Sequence, residues 1–194
     1  MFMLTRYFLL GLLLLTSAPS HAEWILDSDA SEITFLTVKK QSVAEINNFR
    51  ELQGALDTKG KASITIPLAK VDTKIPIRDE RMRKLLFETT KFAEARVTAQ
   101  IDIEKLRQLQ PGQTTVIETN ITLALRDVTH QEPARLQVTA LSGDQMLVNT
   151  VEPVVINAGD YQLLEGVDKL REVAGLDAIS PVVPVTVKLV FDEK

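Results

Sequence analysis

Three stretches of this chain alternate apolar and polar residues with a period of two, and that period limits the possible folds more than any other feature. From Lys61 to Leu68, Ala62, Ile64, Ile66 and Leu68 fall on one side, and Lys61, Ser63, Thr65 and Pro67 on the other. From Ala95 onward, Val97, Ala99, Ile101 and Ile103 oppose Thr98, Gln100 and Asp102. From Val116 to Arg126, Ile117, Thr119, Ile121, Leu123 and Leu125 oppose Glu118, Asn120, Thr122 and Ala124. Side chains alternate between the faces of a strand, so each stretch reads as a strand with one dry and one wet face. An antiparallel sheet built from such strands must stack on another sheet or close on itself. Its apolar faces then line either a filled core or a cavity, and periodicity alone does not separate the two.

The remaining segments fit the same plan. Trp24 to Asp27 opens the fold, Ser28 to Ser31 reads as a turn, and Glu32 to Lys39 as a strand with Ile33 and Phe35 on one face. Gln41 to Leu52 is less regular, with an expected turn at Asn47-Asn48. A polar loop is expected over Asp127–Pro133, followed by a strand over Ala134–Leu141. A hairpin at Ser142-Gly143-Asp144 leads to a strand running to Ile156. Val182 to Phe191 is the last strand, with Pro181 and Pro184 confining its start to an edge or bulge. Met82, Leu85 and Leu86 recur at helical spacing within Arg78–Phe87. A second helix is expected over Glu165–Ala174, stopped by Gly175. The expectation is a mainly all-β chain of about eight strands and two short helices.

The chain begins with a basic flank at Arg6, an apolar run from Tyr7 to Leu15, and a small-x-small site at Ser20-His21-Ala22. Residues 1–22 therefore read as a cleaved secretory signal peptide, and residues 23–194 as one domain. The apolar run is shorter than the roughly 20 residues needed to span a bilayer, and no later stretch reaches that length. Stable membrane insertion is not expected. Cysteine is absent, which removes thiolate metal sites and thiol nucleophiles from consideration. The net charge of −4 lacks the basic footprint that nucleic acid requires.

Catalytic chemistry has little to work with. His130 is the one histidine outside the leader, and it reads as a solvated loop residue. No glycine-rich phosphate loop, nucleophile elbow or metal-loop spacing occurs, so no catalytic residue and no metal ligand is assigned. Asp72, Asp79 and Glu80 could cluster, but Arg78 beside Asp79 points to a structural ion pair that fixes the start of the first helix. Asn120-Ile121-Thr122 fits a glycosylation sequon within an expected strand, where the match is accidental. The residues available to line a cavity are Ile33, Phe35, Phe49, Ile64, Ile66, Val97, Ile101, Ile121, Leu123, Val138 and Val187. The same residues would serve as ordinary core. Ile77, Met82, Leu85 and Phe87 form the apolar face that would cover a barrel mouth.

Several of these elements together resemble the YceI-like family. They are Trp24-x-x-Asp27, Ser31-x-Ile33-x-Phe35, Phe49 with Gly54, Asp72-Thr73-x4-Arg78-Asp79, Ile121-Thr122-Leu123, and Asn157-Ala158-Gly159-Asp160-Tyr161-Gln162-Leu163. The Asp-Thr-x4-Arg-Asp element is the most specific of them. The resemblance implies a lipocalin-like antiparallel β-barrel, exported to the periplasm of a Gram-negative bacterium, that binds polyisoprenoid chains of the kind found in quinones. No cofactor is implied beyond such a polyisoprenoid or quinone-like lipid. The chain departs from the family at Lys39-Lys40, at Asn48, across Arg126–Pro133, and at Gln162, where a glycine is usual.

The leading expectation is thus a periplasmic carrier of a long-chain apolar lipid, with a homodimer left open. An envelope or stress-related protein with a filled core is the alternative. A lipid- or amide-modifying enzyme ranks behind both.

Overall fold

The computed structural model describes residues 22–142 and 144–194. Apart from Ala22, the expected leader lies outside them. Strand β1 (Ala22–Lys39) runs through the expected turn at Ser28–Ser31 without ending. The Asp27 carboxylate accepts the backbone N–H of Asp29 and Ala30, at 2.9 and 3.1 Å, and folds these residues into a bulge. The buried Ser31 hydroxyl accepts the Val190 N–H at 2.9 Å, which restores a hydrogen bond where the ladder is out of step.

β2 (Val43–Phe49) returns along β1, so Asn47 and Asn48 lie in a strand and not in the expected turn. Both are buried, and threonines across the ladder satisfy them. Asn47 Nδ2 donates to Thr37 Oγ1 at 3.1 Å, and the Thr34 hydroxyl donates to Asn48 Oδ1 at 3.2 Å. β3 (Gln53–Asp57) and β4 (Lys61–Pro67) form a hairpin, and β5 (Val71–Asp72) pairs with the end of β2. Helix α1 (Pro76–Arg81) continues as a π-helical stretch, Met82–Phe87.

β6 (Glu94–Gln100) ends sooner than the alternation suggests. Ile103 belongs instead to a third helix, α2 (Ile103–Arg107), which buries Ile103 and Leu106 together. β7 (Thr114–Leu125) and β8 (Val128–Ala140) join through a tight turn at Arg126-Asp127. The expected polar loop is therefore mostly strand, with His130 opposite Leu123. A ladder needs backbone partners and not apolar side chains, so this stretch carries no period to read. The expected long strand to Ile156 divides into β9 (Gln145–Thr150) and β10 (Val154–Asn157). α3 (Leu164–Val173) and β11 (Val182–Glu193) follow.

The strands close a ring in the order β1, β3, β4, β6, β7, β8, β9, β11, with β11 pairing back onto β1. The result is an eight-stranded antiparallel, lipocalin-like barrel. β2 and β5 extend it beside the second half of β1, and β10 beside the start of β11. α2 and the buried Trp24 close one end. α3 lies over the other end against the π-helical stretch, where Gly166 permits the contact: a Cβ there would come within 2.9 Å of Leu86 Cα.

Three non-glycine residues with left-handed backbone meet at one joint of this cap: Glu88 (φ 51°), Arg126 (φ 56°) and Gln162 (φ 55°). Arg126 pairs with Glu88 and donates to the Gln162 carbonyl at 3.2 Å. A side chain in this conformation costs about 1–2 kcal/mol, which glycine avoids. The Gln162 side chain is exposed, so little contact is lost by removing it. Gln162→Gly should stabilise the protein by up to about 1 kcal/mol in urea unfolding, the relief of strain exceeding glycine's added entropy cost.

Candidate functional site

The barrel interior is not filled. A cavity of about 510 Å³ runs down it, within the range of small-molecule sites. Ile33, Phe35, Phe49, Ile64, Ile66, Ile77, Met82, Phe87, Val97, Ile101, Ile121 and Leu123 all stand on its wall, as do Val138 and Val187. Leu85 does not. The π-helical turn widens the helix at this point and brings Leu86 to the wall, leaving Leu85 half-buried against α3. The periodicity of an ordinary helix cannot register that shift. At the α2 end the wall carries the small residues Ala62 and Ala99, paired neighbours on β4 and β6, and Leu106 lies on the lining there.

Three aromatic rings hold the helical cap to the wall. Phe35 and Phe49 lie 5.2 Å apart between centroids, and Phe49 and Phe87 5.7 Å. Contacts of this kind contribute about 0.5–1.5 kcal/mol each beyond their buried area. They tie β1, β2 and the π-helical stretch into one wall.

Charged and amide lining gathers at one end only. Thr37, Lys39, Glu45, Asn47, Thr73, Arg78 and Arg81 form one lip of the opening, and Ala174, Leu176, Ile179 and Ser180 the other. Arg78 and Asp79 do not form the expected ion pair with each other. Arg78 reaches Glu45 at 2.5 Å and donates to the Thr73 carbonyl at 2.7 Å. The Asp79 carboxylate accepts both the Thr73 N–H, at 2.8 Å, and the Thr73 hydroxyl, at 2.5 Å. The two side chains therefore clamp the start of α1 from opposite sides. One ties it to Thr73, and the other ties it across to β2. Glu45 carried no signal in the sequence, because its partner lies 33 residues away and its own strand was illegible.

Glu45 takes two cations, since Lys39 also bonds it at 2.8 Å. Burial works to raise its pKa, but the Lys39 hydrogen bond and the charges of Arg78 and Lys39 outweigh it and hold the carboxyl below its ordinary value. Arg78 Nε is buried with no partner among the described residues. Arg81 makes no ion pair there either. Arg81 is thus a cation without an ion pair at the mouth of an apolar bore.

Among the described residues no cluster of His, Asp or Glu could hold a metal. His130 is exposed at a strand position and packs edge-on to Tyr161, with centroids 5.3 Å apart. The buried Tyr161 hydroxyl donates to Glu132 at 2.7 Å, and burial and then this bond push its pKa above the usual phenol range. It remains a neutral donor that fixes the turn before α3.

The depressed Glu45 pKa sets the sign of a pH effect. The clamp's contribution is complete above the ordinary glutamate pKa of about 4.3 and is lost as pH falls through the lower folded value. A carboxyl ¹³C titration should give Glu45 a midpoint below that of free glutamate, and Arg78→Gln should move it upward.

Several solved structures share this fold. A polyisoprenoid binding domain from Saccharophagus degradans, implicated in plant cell wall breakdown, is 34% identical, with a TM-score of 0.88 over 90% of this chain and all of that one. Burkholderia cenocepacia BcnA is 15% identical, with a TM-score of 0.65 over 85% of this chain and 98% of that one. A Campylobacter jejuni YCEI protein is 14% identical, with a TM-score of 0.56 over 76% and 84%. The last two support the fold alone. No protein of curated function matches the chain. The model of the YceI-like domain matches residues 24–191, and with that match and the 34% identity the chain belongs to the YceI-like family.

Proposed function

We propose that this protein is a periplasmic carrier that holds a polyisoprenoid, or a similarly long apolar lipid, inside its barrel. The observation that carries this reading is the division of the cavity: apolar wall along the bore, charged and amide groups at the opening. Each methylene moved from water into such a bore contributes about 0.8 kcal/mol, so a tail needs no polar contacts to stay bound. The 34%-identical relative is itself named a polyisoprenoid binding domain, which supports the same ligand class here. Arg81, a donor at the opening, suits a head group with acceptor oxygens. The residues at the site hold and orient a cargo; none is placed to activate a nucleophile or a water.

An organic extract of the purified protein should contain a prenyl lipid by mass spectrometry. An extract free of both prenyl and acyl chains would sink the carrier reading. Bore length should set the chain length retained. Ala62→Phe, at the α2 end beside Ala99, should shift the bound lipids toward shorter tails while leaving the mouth intact.

A further inference from the structure

Exposed apolar side chains are spread unevenly over the barrel. Val43, Ile75, Ile77, Val173 and Val182 are 41%, 43%, 54%, 47% and 42% exposed and surround the opening, with Ile46 beside them on β2; Val151, Val155 and Leu164 are exposed elsewhere, after β9, on β10 and at the start of α3. Val43 pairs with Lys39, which bridges to Ile179 on the opposite lip. Ile75 and Ile77 stand on the first lip itself, and Val173 and Val182 bracket the segment that forms the second. Val116, on β7 away from the opening, is 50% exposed. Basic groups stand along the same rim, with the exposed Asp177 of the second lip among them. Lys40 and Lys74 are exposed, and Lys40 and Arg81 make no ion pair among the described residues.

We propose that this rim is a membrane-docking surface, set against the headgroup boundary of an anionic phospholipid bilayer. Its apolar residues match the shallow burial of an interfacial contact, and its unpaired cations match anionic headgroups. The opening lies at the centre of the patch, so docking would join the bore to the acyl region. A water-insoluble tail would then pass between them without crossing water. No helix among the described residues is long and apolar enough to cross a membrane. The purpose of docking rests on the carrier reading above; its measurement does not.

Flotation of lipid-stripped protein with vesicles of phosphatidylglycerol and phosphatidylethanolamine tests it. Wild type should float, and less so as salt rises. Val43→Ser with Val173→Ser, neither on the cavity wall, should cut the bound fraction about tenfold, while Val116→Ser should leave it unchanged. Absence of flotation, or equal flotation of the double variant, overturns the proposal. So does equal binding to neutral phosphatidylcholine vesicles. A wild-type dimer dissolved by the same two substitutions would assign the rim to a second copy, and would likewise overturn it. Protein that floats but carries no prenyl lipid from cells overturns the carrier reading alone. Protein that carries the lipid and does not float overturns docking alone.

Discussion

The pairing of β1 with β11 joins the two ends of the sheet, and the cavity exists because of it. Their register runs from Trp24 opposite Glu193 to Phe35 opposite Val185. Without that seam the strands would form an open sheet with two unpaired edges and a bare apolar face. The seam is not uniform: β1 carries three more residues than β11 between Asp27 and Glu32. Asp27 folds the excess outward, and Ser31 supplies the hydrogen bond that the ladder lacks there. A bulge of this kind bends the strand and helps a sheet to close.

Closure makes a cylinder; side-chain size leaves it hollow. Eight strands enclose an interior that large residues can fill or a small ligand can occupy. Here the wall includes Ala62, Ala95, Ala99 and Ala134, and the largest rings, Phe35, Phe49 and Phe87, are spent on holding the cap. Protein interiors are otherwise close-packed, so an apolar void of this size must be offset by stability gained elsewhere or by an occupant. The clamp at Arg78, Asp79, Glu45 and Thr73 keeps its polar end in shape from the lip.

The sequence made the barrel wall legible wherever one face is dry and the other wet. The strands around Ile64, Val97 and Leu123 follow the period of two, and their apolar residues stand on the cavity wall. Legibility failed where other forces decided. Asn47 and Asn48 read as turn residues because their threonine partners are distant in sequence. The stretch from Thr129 to Gln131 read as loop because a strand projecting beside the cap needs no dry face. Ile103 fitted the alternation of β6 equally well, and only burial with Leu106 distinguishes the helix. Leu85 was misplaced by the π-helical turn, and the partner of Arg78 by 33 residues of intervening chain. The residue left without an account by sequence alone, Gln162, acquires one from its φ of 55°.

Both extremities of the barrel domain lie at the pole closed by α2. Trp24 pairs with Glu193, and the Lys194 N–H reaches the Glu23 carbonyl at 2.9 Å. The opening is at the other pole, ringed by the β1–β2 hairpin, α1 and the segment after α3. Any attachment made through either extremity, whether a tether, a fused partner or a solid support, therefore holds the molecule by its base. The orientation is built into the strand count: an even ring that starts and finishes on neighbouring antiparallel strands returns the chain to the pole it left.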